Sequence, residues 1–418
     1  MRILFTTQPA YGHFRPLLPL ANALRSRGHE VRVATSGLFG PVVGAHGLPA
    51  VPAGLEWLES DKSTIPDDMQ APPNSTIETF FAHQFVRMTA SRLAEDVIAH
   101  ATEWAPAAIV RESTEFGGAL AAEALRIPTA AVQVASPSLV TPAVLAAVAS
   151  VLEGVRTSLG LPPDPHLTRL QAAPVLCFAP LALHDPTVPL PPNFVSFRPE
   201  PWRDEAVLPV QLQGLGSDRP LVYATLGTVF NNPDYELPFF PAILESLGGE
   251  DVDVLVALGP GADPAALGSQ PANIHVADYI PQRAVLEQSS VVVCHGGYGT
   301  LLDAVDSAVP LIVVPFGADQ HINGASVARL GIGRVIDEVA LTADVLRGEV
   351  HTLLEDPESR RNITGLREAW HALPGPAAAA ALVEQLGEPG RQDDLRAMES
   401  WEVDGARTAG GPSANSPA

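Results

Sequence analysis

Short apolar runs alternate with stretches whose apolar positions recur every three to four residues along nearly the whole chain. In the first half the runs predict strands at Ile3–Thr7, Glu30–Thr35, Ala108–Arg111, Thr129–Val134 and Val175–Phe178. In the second they predict strands at Leu221–Thr225, Val252–Ala257, Ile274–Val276, Val291–Cys294, Leu311–Val314 and Gly333–Ile336. The helical period is clearest at Leu17–Arg27, Gly117–Leu125, Thr300–Ser307 and Ala325–Leu330. Buried-type strands separated by helices predict parallel sheets covered on both faces. The expected fold class is therefore α/β, with a Rossmann-like doubly wound sheet in each half. In such sheets ligands sit beyond the carboxyl ends of the strands, where strand order reverses.

At 418 residues the chain exceeds a single comfortable core, so two domains are expected. Arg198–Arg219 is rich in proline, glycine and charge. It sets the predicted boundaries: a first domain at 1–200, a linker at 201–218 and a second domain at 219–374. A helix at 375–387 and a polar, disordered tail at 388–418 complete the expected layout. The stretch Ser60–Ile77 shows no period and reads as a long loop.

Hydrophobic residues make up 46% of the chain and charged ones 17%, the balance of a globular protein. No window approaches the roughly 18 apolar residues that span a bilayer, and the chain opens directly on a strand-like MRILFTT. No membrane association and no leader are expected. Cys177 and Cys294 both lie within apolar runs, as buried thiols of a reducing, cytoplasmic compartment do. A net charge of −22 opposes nucleic acid, whose phosphates it would repel. Lys62 is the only lysine, so a bound anion has to rely on main-chain N–H groups, helix N-termini and a few His or Arg side chains.

The segment Val291–Val335 is the most informative stretch. The apolar run Val291–Cys294 ends in His295-Gly296-Gly297-Tyr298-Gly299-Thr300, where a helical pattern begins. Strand, glycine turn and helix start form the geometry in which unpaired main-chain N–H groups face an anion. The next apolar run ends in Asp319-Gln320-His321-Ile322-Asn323, which brings polar side chains to the mouth of the neighbouring strand. The combination suits a phosphate-linked sugar. The dinucleotide pattern G-x-G-x-x-G is absent after the first strand, which reads TTQPAYGHFRP. A nicotinamide enzyme is therefore not expected.

His13 follows that strand in Gly12-His13-Phe14-Arg15-Pro16, and Pro16 suits a first helical turn. An imidazole placed there, with an ordinary pKa near ~6.5, can take a proton from a hydroxyl at neutral pH. Phe80, Phe81, Phe85 and Met88 recur at helix spacing. They read first as a stripe facing the core, and second as a wall for an apolar ligand, with Phe14 beside them.

The chain resembles nucleotide-sugar glycosyltransferases of the GT-B fold, the group that includes bacterial macrolide, enediyne and aromatic polyketide glycosyltransferases. The likeness runs from Met1 to about Leu386. It rests on Gly12-His13-x-x-Pro16, Leu226-Gly227-Thr228, Tyr279-x-Pro281-Gln282, His295-Gly296-Gly297-x-Gly299-Thr300 and Pro315-x-x-x-Asp319-Gln320-x-x-Asn323, in that order. The resemblance implies two facing lobes with an interdomain cleft, and it implies inverting transfer with no metal and no cofactor besides the sugar donor. His13 matches the general base, and Glu112 matches the carboxylate that orients it, commonly Asp in the family; Glu115 lies nearby. His295, Gly296, Gly297, Gly299, Thr300, Gly227 and Thr228 match the diphosphate site. Tyr279, Ile280 and Gln282 match the nucleobase site, and Asp319 and Gln320 the donor-sugar site. Asp303 stands where UDP-using relatives often carry a ribose-binding Glu and many thymidine-nucleotide users a small residue. The overall pattern resembles actinobacterial deoxysugar transferases, so dTDP is favoured over UDP. Pro374-Gly375-Pro376 and the helix after it resemble the family's final helix, which crosses back to the first domain.

The expected partners are an NDP-sugar and a small hydrophobic acceptor, with a homodimer as one assembly open to the protein. Two other functions share the fold: an NDP-sugar epimerase, and an inactive homologue partnering another transferase. Asp319-Gln320 argues against the first, and the presence of both His13 and His295 against the second.

Overall fold

The computed structural model describes residues 1–388 except 68, 69, 71, 73, 74, 200–207, 210, 211, 229–236, 260, 261 and 279. Half of the expected linker, the tail beyond Glu388, and Tyr279 lie outside the described residues. The chain divides into two compact units. The first comprises Met1–Ala179, Pro186–Glu200 and the chain from Ala372 onward; the second comprises Pro180–Asp185 and Pro201–His371.

The first unit holds a parallel seven-stranded sheet. Its strands are β1 (Arg2–Thr6), β2 (Glu30–Thr35), β3 (Ala50–Pro52), β4 (Ala108–Glu112), β5 (Thr129–Gln133), β6 (Val175–Cys177) and β7 (Phe194–Ser196). Their order is β3-β2-β1-β4-β5-β6-β7. Chain order reverses between β1 and β4, which pair through Ile3↔Ala108 to Thr6↔Arg111. Both faces of these central strands are covered: Ile3, Leu4 and Phe5 are fully buried, as is all of β4. On one face the helices Ala90–Trp104 and Gly117–Leu125 pack Leu93, Val97, Ala101 and Ala121 against Leu4 and Ile109. Each leucine, valine or isoleucine among them contributes about 1.5–3 kcal/mol on burial.

The second unit holds a parallel six-stranded sheet of β8 (Leu221–Thr225), β9 (Asp253–Ala257), β10 (Ile274–Ala277), β11 (Val291–Cys294), β12 (Leu311–Val313) and β13 (Gly333–Val335). Its order is β10-β9-β8-β11-β12-β13, so the reversal lies between β8 and β11. Val222, Ala224, Val254, Val256, Val293 and Ile312 form the centre of its core.

Every strand read from the sequence is present, and two more were not anticipated. β3 and β7 are three-residue strands at the two edges of the first sheet. The expected domain boundary also differs at Pro180–Asp185. This segment groups with the second unit, where Ser326 donates to the Leu183 carbonyl at 2.7 Å and Arg329 to those of Ala182 and His184.

The helix Pro376–Gly387 packs on the helix Leu18–Ser26 of the first unit. Arg27 holds both oxygens of Glu384 at 2.7 Å, and His29 meets the same carboxylate at 2.6 Å. Among the described residues, no helix is long and apolar enough to cross a membrane.

Candidate active site

In the first unit, polar chemistry gathers where β1 and β4 end side by side. After β1 the chain makes a short loop and turns into the helix Tyr11–Phe14, which carries His13. Glu112 is the last residue of β4. Its Oε1 stands 3.0 Å from Nδ1 of His13, and Glu112 itself is fully buried. Thr114 fixes this carboxylate: its N–H donates to Oε2 at 2.6 Å and its hydroxyl to Oε1 at 2.8 Å. The same hydroxyl lies 3.1 Å from His13 Nδ1. The methylene that Glu112 has over an aspartate is thus accommodated, and the carboxyl reaches the ring.

On the other side of the ring, Nε2 of His13 faces Oε2 of Glu59 at 3.4 Å. Burial alone would depress the imidazole, but the carboxylates of Glu112 and Glu59 outweigh it and hold the ring well above its ordinary value. Behind Glu112 lies Glu115, also fully buried. Thr6 donates to it, and the Gly118 N–H donates at 2.9 Å. Burial pushes its carboxyl up to about 7.

Phe14 was expected beside an acceptor. It is fully buried against Phe39 and His46, so it is a core residue. Of the stripe that follows, Phe81, Phe85 and Met88 are buried and Phe80 is half-exposed. The helix Ile77–Ala82 runs into a π-helical turn, His83–Arg87, which brings the Phe85 ring to 5.4 Å from that of His13. Phe81, 5.1 Å from Phe85, lines a cavity of about 140 Å³ together with Arg111, Phe116, Gln133, Val144 and Leu190. That volume admits about one benzene-sized ring. The core reading of this stripe thus holds for Phe81, Phe85 and Met88, and Phe81 also faces the cavity.

The second unit repeats the plan at its own point of reversal. Gly227 follows β8 and His295 follows β11. Gly227 has φ +72°, and a Cβ there would stand 2.9 Å from Cε1 of His295. A side chain on Gly297 would also strike the ring, and one on Gly296, at φ +86°, would strike Val313. These glycines let main chain close around the imidazole. Asn323 locks the turn by donating to the Gly296 carbonyl at 2.9 Å. The helix Tyr298–Asp306 starts here, and the first-turn amides of Tyr298, Gly299 and Thr300 face outward from its positive end. Burial lowers His295 to about 4, against an opposing hydrogen bond with the Thr225 main chain. The ring is therefore uncharged near neutral pH.

Beside this turn, Gln282 opens the helix Gln282–Leu286 and donates to Asp303 at 2.6 Å, while Thr300 donates to its Oε1 at 3.4 Å. Ile280 is buried. Thr228 is half-buried, next to Gly227, whose N–H donates to the Thr225 hydroxyl at 3.1 Å. Asp319 and Gln320 stand at the start of the helix Gln320–Leu330, and Asp319 is half-buried. Gln320 departs from the simplest expectation. It is 1% exposed and its carbonyl oxygen accepts from the N–H groups of Phe316 and Gly317. That oxygen is committed to the turn after β12.

Sequence reasoning missed Glu59 and Thr114. Thr114 had a signal, as a hydroxyl two residues past a strand-end carboxylate. Glu59 had none, being one carboxylate in an aperiodic loop.

Two Rossmann-like sheets, one carrying an imidazole–carboxylate pair at its reversal and the other a glycine-lined turn around a second, buried imidazole, define the GT-B class of group-transfer enzymes. Residues 22–149 match the N-terminal domain, and residues 241–386 the C-terminal domain, of the family described as erythromycin biosynthesis protein CIII-like. The elloramycin glycosyltransferase ElmGT of Streptomyces olivaceus is 32% identical over 411 residues, covering 94% of this chain and 100% of the relative. Among solved structures, glycosyltransferase SnogD from Streptomyces nogalater aligns with a TM-score of 0.72 at 28% identity, over 93% of this chain and 99% of that one. Glycosyltransferase VinC, solved in complex with dTDP, aligns at 0.76 and 25% identity, over 93% and 100%. The chain belongs to the erythromycin biosynthesis protein CIII-like family, and it is a glycosyltransferase.

Proposed function

We propose that the protein transfers a deoxysugar from a dTDP-sugar to a hydroxyl of a small, largely apolar natural-product aglycone, by a single inverting displacement without a metal. The observation that carries this reading is the buried carboxylate of Glu112 on Nδ1 of His13, beside the ends of β1 and β4. With Nδ1 so held, Nε2 is the nitrogen that takes the acceptor's proton, and Glu112 is the counter-ion for the imidazolium that forms.

In the proposed step the acceptor O–H bond breaks and its proton passes to Nε2 of His13. The oxygen bonds to the anomeric carbon from the face opposite the diphosphate. The bond from that carbon to the diphosphate breaks, and its electron pair leaves with the phosphate oxygen. The outward amides at Tyr298–Thr300 and the His295 N–H stabilise the charge that develops there. Asp319 and the amide nitrogen of Gln320 hold sugar hydroxyls, and Ile280, Gln282 and Asp303 the nucleoside. The aromatic cavity at Phe81 and Phe116 takes part of the acceptor's apolar body. The dTDP held by VinC supports the nucleotide choice, and the name of ElmGT supports a natural-product acceptor.

The test offers purified protein dTDP- and UDP-sugars with aromatic and polyketide acceptors, with and without a chelator. The expected result is acceptor-dependent release of nucleoside diphosphate, unaffected by the chelator and lost in His13→Ala, with an inverted anomeric centre by NMR. Conversion of the donor without any acceptor would assign an epimerase instead. Tight nucleotide binding without turnover would assign a partner protein.

A further inference from the structure

His13 is held from both sides. Glu112 occupies Nδ1 at 3.0 Å and Glu59 occupies Nε2 at 3.4 Å, the nitrogen that the proposed transfer needs for the acceptor. The Glu59 segment is anchored for this placement. The Glu59 N–H donates to the Pro9 carbonyl at 3.3 Å, which ties it to the loop leading into the helix of His13. Two residues earlier Trp57 is 2% exposed, and its N–H donates to the Ser36 hydroxyl at 3.2 Å. Leu58 pairs with Asp61 in an isolated bridge, and its N–H donates to Thr64 Oγ1 at 2.9 Å. Main chain is therefore fixed around Glu59, and the part free to move is its side chain, 22% exposed.

An imidazole with a carboxylate at each nitrogen is stable as the imidazolium, since each oxygen needs an N–H to face it. An imidazolium has no lone pair and deprotonates nothing. We propose that Glu59 is a positioning residue that caps Nε2 of His13 until an acceptor hydroxyl displaces it, so that water is not activated against the sugar donor in the acceptor's absence. On displacement the Nε2 proton leaves to solvent, Nε2 regains its lone pair, and the acceptor proton is then taken up as the new bond forms. The other groups facing the ring are the Thr114 hydroxyl at 3.1 Å and the uncharged Phe85 ring from the π-helical turn. Arg111 and Glu115 lie behind Glu112: Arg111 donates to the carbonyls of Glu112 and Glu115, not to the imidazole. Glu59 is thus the one carboxylate at Nε2 among the described residues.

This inference rests on the reading of His13 as the base, and its test has an arm independent of turnover. Full-length protein labelled at histidine with ¹⁵N is titrated by NMR as wild type, Glu59→Gln and Glu59→Ala, with His13→Gln to assign the signal. The expected result is a fall in the His13 pKa of about one unit in both Glu59 variants. In parallel, acceptor-free release of dTDP from a dTDP-sugar rises up to about tenfold at pH 7, and the acid limb of the transfer profile moves to lower pH by the same amount. Glu59→Asp, one methylene shorter, retains part of the cap. An unchanged His13 pKa in Glu59→Gln, or acceptor-free release that stays at the wild-type level while the pKa falls, overturns the proposal. If the wild type transfers no sugar at all, the proposed function fails instead, and the NMR titration still decides whether Glu59 holds Nε2.

Discussion

Oε1 of Glu112 lies 3.0 Å from Nδ1 of His13, although 99 positions separate the two residues. The parallel pairing of β1 with β4 brings them together, and the Thr114 N–H and hydroxyl aim the carboxylate. Glu112→Gln leaves the size unchanged and removes the negative charge that favours the imidazolium. The expected outcome is a loss of about 10²- to 10⁴-fold in kcat with little change in donor affinity. Glu112→Asp, whose carboxyl stops one methylene short, falls between the two. Steady-state kinetics beside calorimetric donor binding checks this, and a loss confined to binding would count against the role.

Gly227 has φ +72°, with His295 directly over it. Gly227→Ala imposes both a strained backbone and a close contact with the ring. A stability cost of about 1–2 kcal/mol is expected, together with at least a tenfold weaker affinity for dTDP. Thermal unfolding and titration calorimetry measure the two effects separately.

His295 is neutral at neutral pH because burial holds it near about 4. Affinity for a dTDP-sugar, whose diphosphate is doubly esterified, is therefore expected to stay level as pH falls from 8 to about 6. A steady gain in affinity over that window would instead show a cationic histidine. His295→Asn retains a donor and is expected to bind better than His295→Ala.

Glu115 carries the opposite kind of shift for a carboxyl, upward to about 7 from an ordinary 4.5. Between those two values the folded protein keeps a proton that the unfolded chain releases. Stability from this group is therefore lost as pH rises from 4.5 to about 7, and then levels off. Glu115→Gln removes the penalty. It is expected to gain on the order of 3 kcal/mol over wild type at pH 8 and little near pH 4.5, as read by denaturant unfolding at both pH values.

Glu384 is held down to about 2, first by its hydrogen bond with Arg27 and also by His29. A depressed carboxylate adds stability above its ordinary value of 4.5, and that stability is lost as pH falls towards about 2. Glu384→Gln is expected to move acid unfolding to higher pH. Near pH 2 the variant and the wild type converge, which far-UV circular dichroism at graded pH would show.

The edges of the first sheet mark the limit of reading strands from patterns. β3 lies in Leu48-Pro49-Ala50-Val51-Pro52 and β7 in Pro191-Pro192-Asn193-Phe194-Val195-Ser196. Edge strands are short and tolerate proline, because one side of the strand has no ladder to complete. They show neither a long apolar run nor an alternation. Phe14 failed differently. Its place next to His13 suggested a ligand wall, but adjacent residues in a helical turn point in different directions, and Phe14 points into the core. At Gln320, the sequence placed the residue at the mouth of a strand and began the helix at Ala325, whereas the helix starts at Gln320 itself. Only coordinates reveal that its oxygen turns back onto Phe316 and Gly317.

By itself the sequence determined the alternation that makes two parallel sheets, the strand ends that carry His13 and His295, and the glycines around the second. These are local properties: an apolar period and a residue's place relative to a strand end depend on near neighbours in the chain. Tertiary structure decided which carboxylates meet the imidazole. Glu112 reaches it because strand order reverses between β1 and β4, and Glu59 because an aperiodic loop is pinned by Trp57 and Pro9. Contacts of this kind depend on the path of loops through space, and no period or spacing along a chain encodes that path.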